Sequence, residues 1–139
     1  MAPPKTPPRS TSMTPALDLQ VSYRLGAPLV YVKGELDHQT APQLRAIIDE
    51  ESAGAPRALL LELSELSYMD SGGLSLVFDT INRLEGKGWL GVIGATQPVS
   101  RLMEITGLTD RPGLRILPDL ASAAFALGRP EQAQQAAEE

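Results

Sequence analysis

The feature that most constrains the fold of this chain is a strand, a polar turn and a helix in direct succession. Residues 58–63 form the apolar run Ala-Leu-Leu-Leu-Glu-Leu, which is typical of a buried strand. After Asp70 the apolar residues recur with helical spacing, so the sequence predicts an amphipathic helix there. Its predicted buried stripe consists of Leu74, Val77, Phe78, Ile81 and Leu84.

The turn between this strand and this helix has the sequence Asp-Ser-Gly-Gly at positions 70–73. Asp70 is predicted to be the N-cap, because its carboxylate can accept hydrogen bonds from free amides of the first helical turn. Ser71 is then expected beside unpaired backbone donors and the positive end of the helix dipole, a place that suits a phosphate. Gly72 and Gly73 are expected to leave the loop backbone accessible. The sequence Asp-Ser-Gly-Gly is also typical of an ordinary turn from a strand into a helix. Spacing alone favours that interpretation over a phosphate site.

An initial strand pair and then alternating helices and strands are predicted for the rest of the chain. Strands are expected at 17–24 and 29–32, joined by a turn at 26–28. Thr40 and Gln43 have the spacing of a capping box at the start of the next helix. The predicted order is β-β-α-β-α-β-α-β-α, which indicates an α/β protein with a mostly parallel sheet and one antiparallel strand.

The second half of the chain contains the remaining predicted elements. The apolar run at 89–93 predicts an inner strand, and a short helix from Pro98 is expected to end at Gly107. A brief edge strand is expected at 114–117, followed by a helix that Asp119 caps.

Composition divides the chain into one folded domain and two tails. Residues 1–15 are rich in Pro, Ser and Thr, so they predict a disordered tail. Residues 16–128 predict a single domain, and the Ala-, Gln- and Glu-rich residues 129–139 predict a flexible tail. Self-association through the sheet edge or the tails is compatible with the sequence.

Charge and residue usage argue against several classes of function. A net charge of -5 without a basic cluster argues against nucleic-acid binding. With no cysteine and one histidine, and with no Gly-Lys-Ser/Thr after the glycines, neither a metal nor another cofactor is expected. No apolar run approaches the roughly 20 residues of a membrane span, and no signal core follows the N-terminus. We therefore expect a cytoplasmic protein without membrane insertion.

Two kinds of chemistry remain open for the polar residues. Ser71 and His38, with an acid, could form a hydrolytic triad if the loop before the first helix meets the Asp70 turn, although the G-x-S-x-G pattern is absent. Alternatively, Asp37 and Asp70 lie in loops that lead into helices at one edge of the sheet, and Ser71 is a hydroxyl that another protein could phosphorylate. The added charge would repel a partner from that surface without catalysis by this chain.

Two stretches of the sequence resemble the signatures of a known family. The first is Gly-Glu-Leu-Asp-His at 34–38 with Thr-Ala at 40–41, and the second is Leu-Ser-Tyr-Met-Asp-Ser-x-Gly-Leu at 66–74. Both are similar to those of STAS-domain anti-sigma factor antagonists, and the resemblance covers residues 17–128. It implies a STAS fold, with a mixed sheet of four or five strands and about four helices largely on one side.

The resemblance also implies a role for each site residue. Ser71 would be the phosphoacceptor of an anti-sigma factor that is a serine kinase, and a separate phosphatase would remove the phosphate. Asp37 would lie close to Ser71. The partner would dock on the surface around Asp37 and Ser71 and on the exposed face of the helix that follows. The residues assigned to the partner-binding surface are Glu35, Asp37, His38, Asp70, Gly72 and Gly73. Glu35 is equally compatible with a charge that is solvated at the edge of the sheet and contacts no partner. Gly72 departs from the family pattern, since the family usually has Ser or Thr at this position.

The leading hypothesis is an antagonist that binds an anti-sigma factor kinase, frees a sigma factor and is switched off by phosphorylation of Ser71. The alternative is a STAS structural subunit of a larger assembly, such as a lipid-transport or stress-signalling complex. In that alternative Ser71 belongs only to the helix start, and no phosphorylation switch exists.

Overall fold

The computed structural model describes residues 17–128, which form a mixed sheet with helices on both faces. In chain order the strands are β1 (Leu17–Arg24), β2 (Ala27–Leu36), β3 (Ala58–Glu62), β4 (Leu66–Met69), β5 (Trp89–Ile93) and β6 (Leu114–Leu117). The helices are α1 (Ala41–Ser52), α2 (Ser71–Leu84), α3 (Gln97–Ile105) and α4 (Leu120–Leu127). The α/β class and the predicted alternation of strands and helices are confirmed.

The sheet has the order β1-β2-β3-β5-β6, and β4 pairs with β2 beyond the end of β3. The β1–β2 pair is antiparallel, whereas the other pairs are parallel. The predicted single antiparallel strand and the edge position of β6 are therefore confirmed. Because β2 is parallel to β3 and β4, the loops that follow these strands lie at one end of the sheet.

Helices α1, α2 and α3 cover one face of the sheet, and α4 covers part of the other. Leu44 of α1, Ile81 of α2 and Met103 of α3 are buried with Val30 and Leu61 in the larger core. The smaller core lies on the opposite face, where α4 packs. Its buried members are Ala27, Leu29, Ala58, Leu60, Ile93, Ala123 and Leu127. Three of these four helices share a face, as the resemblance implied.

Two strand predictions need correction. The first turn is formed by Leu25 and Gly26, not by residues 26–28, because Arg24 pairs with Ala27 and Tyr23 with Pro28. Both turn residues have positive φ, as a two-residue hairpin turn of type I′ requires. Strand β4 was not predicted, because it has only four residues and its central Ser and Tyr are exposed.

Two helix predictions are also wrong in detail. Thr40 precedes α1, but its side chain makes no capping bond to that helix, so the capping box is absent. The buried stripe of α2 is rotated, because Leu76 is buried whereas Phe78 is 41% exposed. The prediction that α3 ends at Gly107 is confirmed, because Gly107 follows that helix in the left-handed conformation. The predicted N-cap of α4 at Asp119 is confirmed as well.

The predicted tails at 1–15 and 129–139 lie outside the described residues. Within residues 17–128, no helix is long and apolar enough to cross a membrane. The same part of the chain contains no group of three or more His, Cys, Asp or Glu side chains that could hold a metal ion.

Candidate functional site

The candidate site lies where β2 and β4 end side by side and α2 begins. The amide of Asp70 donates a hydrogen bond to the carbonyl oxygen of Leu36 (3.2 Å), which joins the ends of the two strands. The Asp70 carboxylate then accepts hydrogen bonds from the amides of Gly72 (2.7 Å) and Gly73 (3.4 Å). The predicted N-cap is therefore confirmed, and it fixes the direction in which α2 leaves the sheet.

The same bonds change the expected environment of Ser71. The amide of Leu74 donates to the carbonyl oxygen of Asp70 (3.0 Å), so the amides of residues 72–74 all have partners. The first turn of α2 therefore does not offer the cluster of unpaired donors that the sequence predicted for a phosphate. Ser71 itself is exposed, so its hydroxyl is accessible to another protein.

Gly72 and Gly73 serve close packing, not access to the backbone. Both are buried. A Cβ at Gly72 would lie 2.8 Å from the backbone nitrogen and 2.9 Å from the Cα of His38. A Cβ at Gly73 would lie 2.7 Å from Cγ of Met69 and 3.0 Å from Cγ of Leu36. The missing side chains let the loop after β2 and the end of the sheet press against α2, which corrects the expectation of an open backbone.

His38 contacts Ser71 across this close approach. The Oγ atom of Ser71 lies 3.2 Å from Nε2 of His38, and both side chains are exposed. The loop after β2 and the turn before α2 therefore meet, as any joint role for these two residues requires. This contact depends on Gly72, because the His38 ring nitrogen Nδ1 would lie 2.9 Å from a Cβ at that position.

Asp37 shapes the loop that carries His38. Its Oδ1 atom accepts hydrogen bonds from the amides of Gln39 and Thr40, both at 2.9 Å. The Thr40 hydroxyl accepts from the amide of Asp37 (2.9 Å) and donates to the carbonyl oxygen of Glu35 (2.8 Å). The bond from the Thr40 amide, with smaller help from Gln39 and the charge of His38, holds the pKa of Asp37 below its ordinary value. Asp37 is thus an ionised loop anchor directly beside His38.

Glu35 lies at the rim of the same end of the sheet. It is exposed on β2, and in the register of the sheet it stands opposite Tyr68, which is 49% exposed on β4. Glu35 is therefore accessible to a partner that covers this end of the sheet. Its assignment to the binding surface stays a prediction.

The site does not assemble the parts of a serine hydrolase. The pair of Ser71 and His38 is present, but within residues 17–128 no acidic side chain is hydrogen-bonded to the His38 ring. The amides of Gly72 and Gly73, which could have stabilised an oxyanion, are bound to Asp70. The geometry supports a hydroxyl that is modified by a partner better than a nucleophile that this chain activates.

An exposed face of α2 continues from Ser71, and Phe78, which the sequence placed in the buried stripe, lies on it. Ser75 and Phe78 lie four and seven positions after Ser71, so all three share one side of the helix. A shallow groove of about 230 Å³ runs along this side. Its lining residues are Leu74, Ser75, Phe78, Asp79, Thr106 and Leu108. The guanidinium of Arg111 lies 4.5 Å from the centroid of the Phe78 ring.

Helical spacing from Ser71 contained a signal for this face. Phe78 was assigned to the core because it is apolar, yet it is also two turns along the helix from the exposed serine. The contributions of Thr106, Leu108 and Arg111 had no local signal, because they come from segments that fold against α2.

Comparison with known proteins identifies a family with this fold, and the similar proteins are anti-sigma factor antagonists. Residues 18–123 match the STAS domain family. An anti-sigma-B factor antagonist of Staphylococcus aureus is 38% identical over 82 residues, which cover 58% of this chain and 76% of that protein.

Two solved structures extend the comparison. An anti-sigma factor antagonist from Mycobacterium paratuberculosis has a TM-score of 0.74 and 30% identity, covering 83% of this chain and 98% of that one. The Bacillus cell fate determinant SpoIIAA in its phosphorylated form has a TM-score of 0.56 and 27% identity, with coverage of 73% and 90%. On the match over most of its length and on the fold of residues 17–128, this chain belongs to the STAS domain family.

Proposed function

We propose that this protein is an anti-sigma factor antagonist that binds an anti-sigma factor serine kinase and loses that binding when Ser71 is phosphorylated. Binding would free a sigma factor, and a phosphatase acting on Ser71 would restore the unmodified state. The observation that carries the proposal is the position of Ser71. Its hydroxyl is exposed at the start of α2, at one end of the face that bears Phe78 and its groove. We expect the protein to act in the cytoplasm, by binding and not by catalysis.

The relatives support this proposal at the level of their class. The Staphylococcus aureus and Mycobacterium paratuberculosis proteins are anti-sigma factor antagonists, and SpoIIAA exists in a phosphorylated form. The signature stretches of this chain place a serine at the start of α2 and an aspartate at the end of β2. The proposal for Ser71 therefore combines its exposure in this chain with the modification known in a relative.

The hydrogen bonds around the site explain how a phosphate would act. A phosphoserine carries about -1.5 to -2 charges at neutral pH. The nearby amides of residues 72–74 already donate to Asp70, so they are not available to neutralise a phosphate on Ser71. Its charge would remain at the surface, beside His38 and at the same end of the sheet as Asp37. A partner docked there would have to bury that charge, which costs binding free energy.

The first test is the intact mass of the full chain after incubation with ATP and candidate anti-sigma factor kinases from the same cell. We expect one added phosphate, and fragmentation should locate it on Ser71. The control is Ser71→Ala, which should gain no phosphate. If no candidate kinase modifies Ser71, or if the phosphate is on another residue, the proposed switch is wrong and the structural-subunit alternative gains support.

The groove on α2 gives a second test of the same surface. We expect Phe78→Ala to weaken binding of the unphosphorylated protein to its anti-sigma factor by about tenfold, because an exposed aromatic side chain in an interface is often a main contributor. Isothermal titration calorimetry would measure the change. Phe125→Ala is the matched control, since Phe125 is on α4, which packs on the other face of the sheet.

The two phenylalanine variants distinguish a docking face from a general loss of stability. Equal affinities for Phe78→Ala and the unmodified protein would show that the partner does not use the α2 groove. Equal losses for Phe78→Ala and Phe125→Ala would show that the effect is not local to α2.

A further inference from the structure

Strand β1 is a long and exposed edge of the sheet. Its eight residues pair only with β2 among the described residues 17–128. Apolar side chains remain accessible along it: Val21 is 40% exposed, Tyr23 58% and Leu25, in the turn that follows, 60%. The strand contains neither proline nor a bulge against β2, which are devices that commonly protect such edges. Strand β1 is therefore able to accept another strand.

The hairpin turn determines which backbone groups face outward. In the turn formed by Leu25 and Gly26, the flanking residues Arg24 and Ala27 make a hydrogen-bonded pair, and bonded pairs alternate along β1 from there. Even-numbered residues of β1 therefore direct their amides and carbonyls toward β2. The odd-numbered residues, with Val21 in the middle, direct theirs away from the sheet. A partner strand must bond to the odd-numbered residues.

A second copy of β1 satisfies this requirement in one register particularly well. When two copies run antiparallel with Val21 opposite Val21, Leu19 of one copy is opposite Tyr23 of the other. The backbone amides and carbonyls of both residues are directed away from their own sheets, so the two residues can bond. Asp18 of each copy is then opposite Arg24 of the other, in a pair that is not hydrogen-bonded through the backbone and whose side chains are close. One dimer thus contains two opposite-charge pairs.

Neighbouring registers lack this complementarity. A register centred on Gln20 places Asp18 opposite Ser22, and one centred on Ser22 places Arg24 opposite Gln20. Both keep odd-numbered residues opposite each other, so backbone bonding does not distinguish them from the register centred on Val21. The charges do, because only the Val21 register brings Asp18 opposite Arg24.

We propose that two copies of this protein associate through antiparallel pairing of their β1 strands about Val21, which joins their sheets into one. The interface is separate from the Ser71 site, because β1 is at the opposite side of β2 from β4 and α2 begins after β4. The proposal thus goes beyond the proposed function and does not depend on it. The interface is small, so we expect a weak dimer whose population rises with protein concentration.

Charge reversal tests both the pairing and its register. Asp18→Arg alone places Arg opposite Arg24 twice in a dimer, and Arg24→Asp alone places Asp opposite Asp18 twice. We expect each variant alone to dimerise about tenfold more weakly than the unmodified chain. An equimolar mixture of the two variants restores opposite charges at both positions. We therefore expect a heterodimer with the affinity of the original dimer.

Sedimentation velocity over a range of concentrations would measure the dimerisation, and native mass spectrometry would identify the heterodimer. Arg101→Asp is the matched control for Arg24→Asp, because it makes the same change in net charge on the exposed side of α3. It should leave dimerisation unchanged. Circular dichroism would confirm that each variant is folded.

Three outcomes would overturn the proposal. The first is an unmodified chain that stays monomeric at every concentration. The second is either single variant dimerising as strongly as the unmodified chain. The third is a mixture that forms no more dimer than the single variants, which would refute the Val21 register.

Discussion

Ser71→Asp is expected to weaken binding to the anti-sigma factor by at least about 100-fold, whereas Ser71→Ala is expected to bind as tightly as the unphosphorylated protein. The cause is a charge buried without compensation. The Asp70 carboxylate already occupies the amides of Gly72 and Gly73, so an acidic side chain at position 71 finds no free donor among residues 72–74. His38 is within reach of the Ser71 hydroxyl at 3.2 Å, but it is exposed and offers one ring nitrogen.

Calorimetry with the purified anti-sigma factor would measure both affinities. Ser122→Asp is the matched control, because it introduces the same acid into the first turn of α4, on the other face of the sheet. Its affinity should equal that of the unmodified protein. If Ser71→Asp and Ser71→Ala bound equally well, a negative charge at this position would not control binding, and phosphorylation there could not be the switch.

Gly72→Ser has the second large expected effect. The substitution introduces one of the two residue types that the resembled family usually has at this position. We expect it to lower the free energy of unfolding by about 1–3 kcal/mol, because the new Cβ overpacks a close approach between two segments. The nearest atoms are the backbone nitrogen and Cα of His38, at 2.8 and 2.9 Å. A side-chain movement cannot relieve a contact with backbone, so the loop after β2 must shift.

Urea denaturation would measure the loss, and Gly54→Ser is the control. A Cβ at Gly54 meets only the carbonyl oxygen of Glu51, at 3.9 Å, so its substitution should change stability little. The double variant His38→Ala/Gly72→Ser should remain destabilised, because removing the imidazole leaves the His38 backbone in place. Stability of Gly72→Ser equal to that of the unmodified protein would show that the loop moves without cost.

Local patterns were sufficient for most elements of the fold. Apolar runs predicted β3 and β5, and capping chemistry predicted the starts of α2 and α4 at Asp70 and Asp119. These features depend on residues close in sequence, so no tertiary information is needed. Strand β4 was not predicted, because its four residues have no apolar alternation: the two end residues are buried and the two central ones are exposed. It forms because β2 extends far enough to pair with it.

For the site, too, the sequence predicted some features and the tertiary structure determined others. The sequence identified Ser71, Asp70, Asp37 and His38 as site candidates, since their types and positions at helix starts carry chemistry on their own. It assigned Thr40 to a capping box, but the Thr40 hydroxyl instead bonds the carbonyl of Glu35 and the amide of Asp37. Which acceptor a hydroxyl takes depends on the path of the loop, and that path is set by packing.

The sequence alone thus determined the α/β order, the cap at Asp70 and the exposed serine after it. Only the tertiary structure decided what surrounds that serine. Residues 38 and 71 are far apart in the chain, and they meet because β2 and β4 are paired and because Gly72 has no side chain to separate them. Contacts between distant segments depend on how all the elements pack together, and no local pattern encodes that packing.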